Sequence, residues 1–85
     1  MKLSTKGRYA IIALVDLATA RGDDLTSLAE ISARQDISLP YLEQLFVRLR
    51  RAGLVVSARG PGGGYRLARP ADQINLVEVL AAVDE

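Results

Sequence analysis

Two short helical patterns joined by a turn over residues 36–38 constrain the fold of this chain most strongly. The first begins at Ser27 with the spacing S-x-x-E, in which serine and glutamate side chains bind backbone amides at a helix start, and it predicts a helix to Gln35. Ser38 is placed to cap the second helix, which ends before Gly53. Helices joined this closely predict a helix-turn-helix, whose second helix enters the major groove of DNA.

The chain before this motif predicts one longer helix. Its cap is Ser4 or Thr5, and the apolar pattern continues to about Arg21. Residues 9–20 are almost entirely apolar or small, and Asp16 is their one strongly polar member. A helix that is apolar on nearly every side is usually buried on more than one side. We therefore expect a further segment or a second copy of the chain to cover it, with weak self-association of this chain as the result.

The chain after the motif predicts a two-stranded hairpin and a last helix. Strands at residues 55–58 and 65–67 flank a glycine-rich turn over residues 60–64. The last helix begins after its cap, Asn75, and runs to the chain end. A hairpin directly after the second helix of the motif is typical of its winged form. The predicted fold is mainly α with a small β-ribbon, a single winged helix-turn-helix domain over residues 1–85.

Composition excludes several classes of protein. The chain has 85 residues, of which 49% are apolar, and this is too many for a disordered segment. It contains no cysteine and no histidine, so disulfides, zinc sites and Ser-His-Asp catalysis are excluded within it. We predict no catalytic residue, no metal site and a cytoplasmic protein. The longest apolar run, residues 9–15, is far shorter than the roughly 20 residues of a membrane span, and Asp16 interrupts it where a secretory signal would continue.

Charge is distributed unevenly, although the formal net charge is only +1. Residues 48–69 contain six arginines and no acidic residue. The planar guanidinium suits phosphate oxygens and base edges, so this block predicts a surface that faces nucleic acid. The alternative is an ordinary solvated face. The residues predicted to contact phosphates are Lys6, Arg8, Arg48, Arg50, Arg51 and Arg66.

The second helix of the motif has a buried stripe and an outward face. Its apolar residues recur at the i, i+3, i+4, i+7 spacing that predicts burial. They are Leu42, Leu45, Phe46 and Leu49. Residues near the start of such a helix reach base edges, where glutamine pairs with adenine and glutamate accepts from cytosine. The residues predicted to read bases are Ser38, Tyr41, Glu43 and Gln44. Packing against a neighbouring helix is the alternative for Tyr41, and an ordinary surface charge is the alternative for Glu43.

The glycine-rich turn has two possible interpretations. A phosphate-binding loop is a poor one, because the G-K-[ST] ending is absent and the turn joins two strands rather than a strand and a helix. Glycines also allow close approach of a backbone to DNA, as a wing requires. Arg59 at its base is placed to enter a minor groove, which attracts arginine where it is narrow. Arg59, Gly60 and Gly62 are the residues predicted to form this contact.

Three segments carry a family resemblance. The sequence M-K-L-S-T-K-G-R-Y-A stands at residues 1–10, I-S-L-P-Y-L-E-Q-L-F at residues 37–46 and R-G-P-G-G-G-Y at residues 59–65. They are similar to the start, the recognition helix and the wing of the Rrf family of bacterial transcription regulators, of the IscR type. The similarity spans essentially the whole chain. Pro40 departs from the serine of the IscR pattern and offers no polar side chain for a base contact at that position.

The resemblance implies a homodimeric, winged helix-turn-helix regulator that binds a double-stranded DNA operator and is not an enzyme. It implies control of iron–sulfur cluster or iron metabolism genes. Carried over by residue, major-groove reading falls on the same four residues of the second motif helix, and minor-groove reading falls on Arg59.

Members of this type continue past the position of Glu85 with a cysteine-bearing loop for an iron–sulfur cluster and a long dimerisation helix. The chain is therefore expected to be the DNA-binding domain, with no cofactor of its own and a cluster in the full-length relative. A winged-helix module for protein–protein interaction and a module that binds DNA of any sequence are the alternatives.

Overall fold

Within the residues that the structure describes, 3–20, 24–59 and 62–84, four α-helices and a two-stranded antiparallel ribbon form the fold. The structure is a computed structural model. In chain order the elements are α1 (Thr5–Ala18), α2 (Leu28–Gln35), α3 (Leu39–Arg51), β1 (Val55–Ala58), β2 (Gly64–Leu67), a 3-10 turn (Ala71–Gln73) and α4 (Leu76–Asp84). The prediction of a mainly α, winged helix-turn-helix fold is confirmed.

A side chain accepts a backbone N–H at the start of each of the four α-helices. These N-caps are Ser4, Ser27, Ser38 and Asn75. The Asn75 cap is reciprocal, because the Glu78 N–H donates to Asn75 Oδ1 at 2.9 Å and the Asn75 N–H donates to the Glu78 carboxylate at 3.2 Å. Local sequence thus decides where each of these four α-helices begins, as the capping patterns predict.

The end of α1 differs from the prediction. The helix stops at Ala18 rather than near Arg21. The Thr19 hydroxyl donates to the carbonyl of Asp16 at 2.7 Å, and the Ala20 N–H donates to the carbonyl of Leu17 at 3.1 Å. Bonds of this i, i−3 type tighten the last turn of a helix and end it. The helix therefore ends where the Thr19 hydroxyl bonds its last turn.

One apolar core joins the helices to the ribbon. Its buried members are Ala10, Ala13, Leu14, Leu17, Ile31, Ile37, Leu42, Leu45, Phe46, Leu49, Leu54, Val55, Val79 and Val83. The four residues predicted as the buried stripe of α3 are all among them. Burying this stripe fixes which side of α3 faces outward.

A polar cluster lies on α1, within the segment that the sequence shows to be apolar on nearly every side. Asp16 is 4% exposed, whereas the neighbouring Val15 is 58% exposed. The Asp16 carboxylate accepts from Arg34 Nη2 at 2.7 Å and Nε at 3.1 Å, and from Gln35 Nε2 at 2.9 Å. The bidentate bond from the Arg34 guanidinium, assisted by Gln35, holds the pKa of Asp16 below its ordinary value although burial raises it. This cluster ties α1 to the end of α2.

The ribbon is held against the rest of the domain by two contacts of Tyr65. Its backbone pairs with Thr26, with N···O distances of 2.8 and 2.9 Å, and so adds a third short extended segment beside β2. Its ring meets Phe46 of α3 edge to face, with ring centroids 4.8 Å apart. The ribbon is therefore placed relative to both helices of the helix-turn-helix. β2 begins at Gly64, one residue before the predicted start.

Candidate nucleic-acid interface

The outward face of α3 carries polar side chains that bond to no other described residue of the domain. Glu43 and Gln44 are exposed. Within the described part of the chain, neither side chain makes a hydrogen bond or an ion pair. At about 100° per residue, Gln44 points almost directly away from the buried stripe and Glu43 lies on one flank. Both side chains are thus presented to whatever approaches α3, as base reading requires.

Ser38 and Tyr41 are engaged within the domain. Ser38 Oγ accepts from the Tyr41 N–H at 3.3 Å as the N-cap of α3. The half-buried Tyr41 ring packs edge to face on Tyr9 of α1, with centroids 5.5 Å apart. These contacts favour the packing alternative for the Tyr41 ring. Base reading by either residue stays a prediction, and both line one shallow cavity with Thr5 and Tyr9 at the edge of the outward face.

The arginines at the end of α3 divide into two kinds. Arg50 and Arg51 are exposed, and their side chains have no hydrogen-bond or ion-pair partner among the described residues. Arg48 is half-buried and donates from Nη1 to the carbonyl of Val83 at 3.3 Å. This carbonyl lies at the C-terminal end of α4, where a positive charge is favoured by the helix dipole. Arg48 therefore links α3 to α4, whereas Arg50 and Arg51 remain available for phosphates.

Lys6 and Arg8 lie exposed on the first turns of α1. The ring of the next residue, Tyr9, contacts Tyr41 at the start of α3. At about 100° per residue, Lys6 lies about 60° from Tyr9 around α1 and so near the side that meets α3, whereas Arg8 lies about 160° from Lys6. Contact of either cation with phosphate stays a prediction. Gly7 between them is buried, and a Cβ there would meet the Leu80 side chain of α4.

The wing residues are described in part. Arg59 is exposed directly after β1, and its side chain has no partner among the described residues. Gly62 has a φ of +74° and open space around its Cβ position, as a tight turn at a tip requires. The predicted contact of Gly60 lies outside the described residues. The structure therefore places Arg59 at the turn end of a ribbon that is fixed to α3 through Tyr65 and Phe46.

Arg66 is not brought together with the arginines of α3. Neighbouring side chains of a strand point to opposite faces, and Tyr65 points towards α3. Arg66 accordingly lies on the far face of the ribbon, in a cleft with Asp24 and Arg69. Its contact with phosphate stays a prediction that this placement does not support.

Arg69, the last arginine of the basic block, contacts the first turn of α4. It donates to the Glu78 carboxylate at 3.0 Å. The Asn75 N–H and then the Arg69 guanidinium lower the pKa of Glu78. The basic block is thus partly structural, because Arg48 and Arg69 both hold α4 in place.

Sequence reasoning missed the residues that position the interface rather than touch DNA. The Asp16–Arg34 pair orients α2, and the Thr26–Tyr65 pairing orients the ribbon. A signal for the first was present, since a lone acid inside an apolar helix needs a partner if the helix is buried. The second had no sequence signal, because it joins backbone groups distant along the chain.

No part of the described chain could serve as a metal centre of three or more acidic, cysteine or histidine ligands. The whole sequence lacks cysteine and histidine, the ligands that iron–sulfur clusters use. The side chains of this chain therefore do not fit such a cluster. Among the described helices, none combines the length and apolar character needed to cross a membrane.

Comparison with known proteins gives consistent matches. The model of the family Rrf2, described as iron-dependent transcriptional regulator, matches residues 3–85. The chain is 71% identical over 87 residues to the HTH-type transcriptional regulator IscR of Cereibacter sphaeroides, covering 100% of this chain and 56% of that protein. The chain spans about half the length of the curated relatives it matches.

Solved structures agree with this match. T. potens IscR superposes with a TM-score of 0.88 at 48% identity, covering 96% of this chain and 60% of that one. CymR (YrzC), the global cysteine regulator of B. subtilis, superposes with a TM-score of 0.92 at 42% identity, covering 99% and 65%. These relatives are transcription regulators and not enzymes.

Proposed function

Because this chain belongs to the Rrf2 family of transcriptional regulators, we propose that it binds double-stranded DNA in a sequence-specific manner. α3 lies in the major groove, where Gln44 and Glu43 read base edges. Arg50 and Arg51 contact phosphates, assisted by Lys6 and Arg8, and Arg59 enters the neighbouring minor groove. Arg48, which also links α3 to α4 through the Val83 carbonyl, stays a proposed phosphate contact.

The outward face of α3 is the observation that carries this proposal. Its opposite side is buried in the core, and the exposed Glu43, Gln44, Arg50 and Arg51 side chains have no partner among the described residues. Hydrogen-bonding groups at the start of the helix and charge at its end match bases and phosphates, respectively. A module for protein–protein interaction would not need arginines left without acidic neighbours.

We further propose that the complete regulator is a cytoplasmic homodimer that controls iron–sulfur cluster or iron metabolism genes. The family description and the 71% identity to an IscR protein support this regulatory role. Control by cysteine has weaker support, because the identity to the cysteine regulator CymR is 42%. An apolar groove between α1 and α4, with Val15 58% and Leu76 53% exposed, supports contact with a second copy. The iron–sulfur cluster is proposed for the full-length relatives, with ligands that lie outside the segment matching this chain.

Titration of DNA with single variants tests the binding proposal. A duplex selected by the protein from a random pool is compared with an unselected random duplex at several salt concentrations. Binding should weaken with salt at a log–log slope of about −0.9 for each phosphate neutralised. Gln44→Ala should lose about 1–3 kcal/mol on the selected duplex alone, whereas Arg51→Ala should weaken both duplexes equally and flatten the slope by about one.

Gln73→Ala is the matched control, because Gln73 is an exposed glutamine in the 3-10 turn, away from α3. It should bind both duplexes as the parent protein does. Equal losses on both duplexes for Gln44→Ala would remove Gln44 from the base-reading set. Selection that yields no preferred sequence would leave DNA binding without specificity, and absence of binding to any duplex would favour the protein–protein alternative.

For the wing, Arg59→Ala should weaken binding most where the flanking segment of the duplex is A·T-rich. Exchange of that segment for G·C pairs should reduce the affinity of the parent protein and abolish the difference between parent and variant. Unchanged parent affinity after the exchange would show that Arg59 does not read a minor groove.

A further inference from the structure

Two apolar side chains stand on the outward face of α3, among the polar residues. Val47 is 40% exposed, and Pro40 is also exposed. At about 100° per residue the two lie within about 20° of each other, and Gln44 is about 60° from Val47. The strip formed by Pro40, Gln44 and Val47 is therefore the part of α3 that would lie deepest in a major groove occupied by the helix. Its centre is apolar although water surrounds it in the unbound protein.

The helix itself gives no reason for a valine at position 47. Valine is stiff at χ1 and is a weaker helix former than alanine, leucine or lysine, so an exposed valine does not stabilise α3. It also lies outside the core, which the other side of the helix fills. The same stiffness holds its two methyl groups in one direction at little loss of entropy on binding, which suits a contact surface.

The major groove offers one exposed apolar group, the C5-methyl of thymine, among hydrogen-bonding groups. Val47 follows Gln44 by three residues, or about 4.5 Å along the helix axis, which is close to the 3.4 Å between base pairs. The Gln44 amide matches adenine. A Val47 side chain one helical turn further along then lies over the neighbouring base pair.

Charge on the same helix favours a DNA major groove over an apolar protein surface as the partner of Val47. Arg51 lies within about 40° of Val47 on the outward face and Arg50 on its flank, both exposed and without partners among the described residues. An apolar centre that carries unpaired arginines at its end is complementary to a groove walled by phosphates.

We propose that Val47 is a specificity-determining residue that packs against the C5-methyl of a thymine adjacent to the base read by Gln44. The proposal rests on the proposed binding of DNA through α3. Pro40, seven residues or about two turns before Val47 on the same strip, faces the adjoining part of the groove and makes no hydrogen bond there.

Replacement of thymine by deoxyuridine tests this contact, because it removes the methyl group and leaves every hydrogen-bonding group unchanged. Each thymine of a duplex selected from a random pool is replaced singly, and affinity is measured for the parent chain, Val47→Ala and Val77→Ala. At one position the parent should lose about fourfold in affinity, the effect of burying about one methyl group. Val47→Ala should bind the thymine duplex more weakly by a similar factor, and should show no thymine-to-deoxyuridine difference at that position.

Val77→Ala is the control, since Val77 is an exposed valine on α4, 71% accessible, and lies away from α3. It should keep the parent ratio between the two duplexes. The assignment of Val47 is wrong if Val47→Ala loses as much affinity as the parent when thymine is replaced by deoxyuridine. It is also wrong if no thymine methyl group affects the affinity of the parent. Either result leaves DNA binding intact. Selection that yields no preferred sequence defeats the proposed function and this inference together.

Discussion

Substitution of Gly64 by alanine tests how the ribbon is fixed to the domain. A Cβ at position 64 would lie 2.6 Å from the Thr26 carbonyl oxygen, 2.7 Å from the Thr26 carbonyl carbon and 3.0 Å from the Ser27 nitrogen. All three are backbone atoms of the segment that pairs with Tyr65, so none can rotate away. Either the added methyl is held under strain or the Thr26–Tyr65 pairing opens.

Both routes give similar magnitudes. Overpacking of this kind typically costs about 1–3 kcal/mol. Opening the pairing loses two backbone hydrogen bonds, with N···O distances of 2.8 and 2.9 Å, at about 1 kcal/mol each. Alanine also restricts the unfolded chain, which offsets about 0.4–1 kcal/mol. We therefore expect the free energy of unfolding to fall by about 1–2 kcal/mol.

Urea denaturation measures the loss, and amide hydrogen exchange locates it. The Thr26 and Tyr65 amides should exchange faster in Gly64→Ala than the change in global stability explains, because the pairing opens locally. Gly53→Ala is the control. Gly53 has a φ of +77° and nothing within 4 Å of its Cβ position, so alanine there strains its own backbone by about 1 kcal/mol without touching the ribbon.

The two variants should thus have comparable stability and different exchange at Thr26. If Gly64→Ala is as stable as the parent protein and keeps the Thr26 amide protected, the close approach of β2 to Thr26 does not hold the ribbon. Other contacts would then hold the ribbon in place, whatever the variant does to DNA binding.

Three further predictions concern the polar links and the exposed apolar face. Asp16→Asn should lower the free energy of unfolding by about 1–3 kcal/mol in urea, because it weakens charge-assisted hydrogen bonds from the half-exposed Arg34 to a buried carboxylate. Unchanged stability would mean that these bonds make no net contribution to stability. The pKa of Asp16 is lower in the folded state than in the unfolded state. The parent protein should therefore lose the stabilisation from the Asp16 carboxylate as the pH falls below about 4 and towards the folded-state pKa. In denaturation at a series of pH values, the stability of Asp16→Asn should depend less steeply on acid. Arg48→Ala should raise amide exchange in the last turn of α4 while leaving α2 unchanged, and uniform exchange across both helices would contradict the α3–α4 link. Weak self-association should appear in sedimentation at high concentration and decrease in Leu76→Glu; a strict monomer at every concentration would refute it.

The sequence determined the elements and the general position of the interface, because both depend on local patterns. Serine and asparagine caps fix where the α-helices begin, since their side chains accept from backbone amides three residues further on. The 3.6-residue period of α3 separates its buried stripe from Gln44, and no other part of the fold is needed for that separation. Composition alone excluded chemistry that depends on cysteine or histidine.

Tertiary packing decided which members of the basic block are available and how the interface is oriented. Arg48 and Arg50 stand two residues apart in the same arginine-rich helix end, yet one bonds the end of α4 and the other is exposed. Asp16 is buried while Val15 is exposed, because α2 brings Arg34 to one side of α1 only. Such outcomes depend on residues distant along the chain, and the energy of a buried charge or a backbone pairing exists only once the fold has brought both partners together.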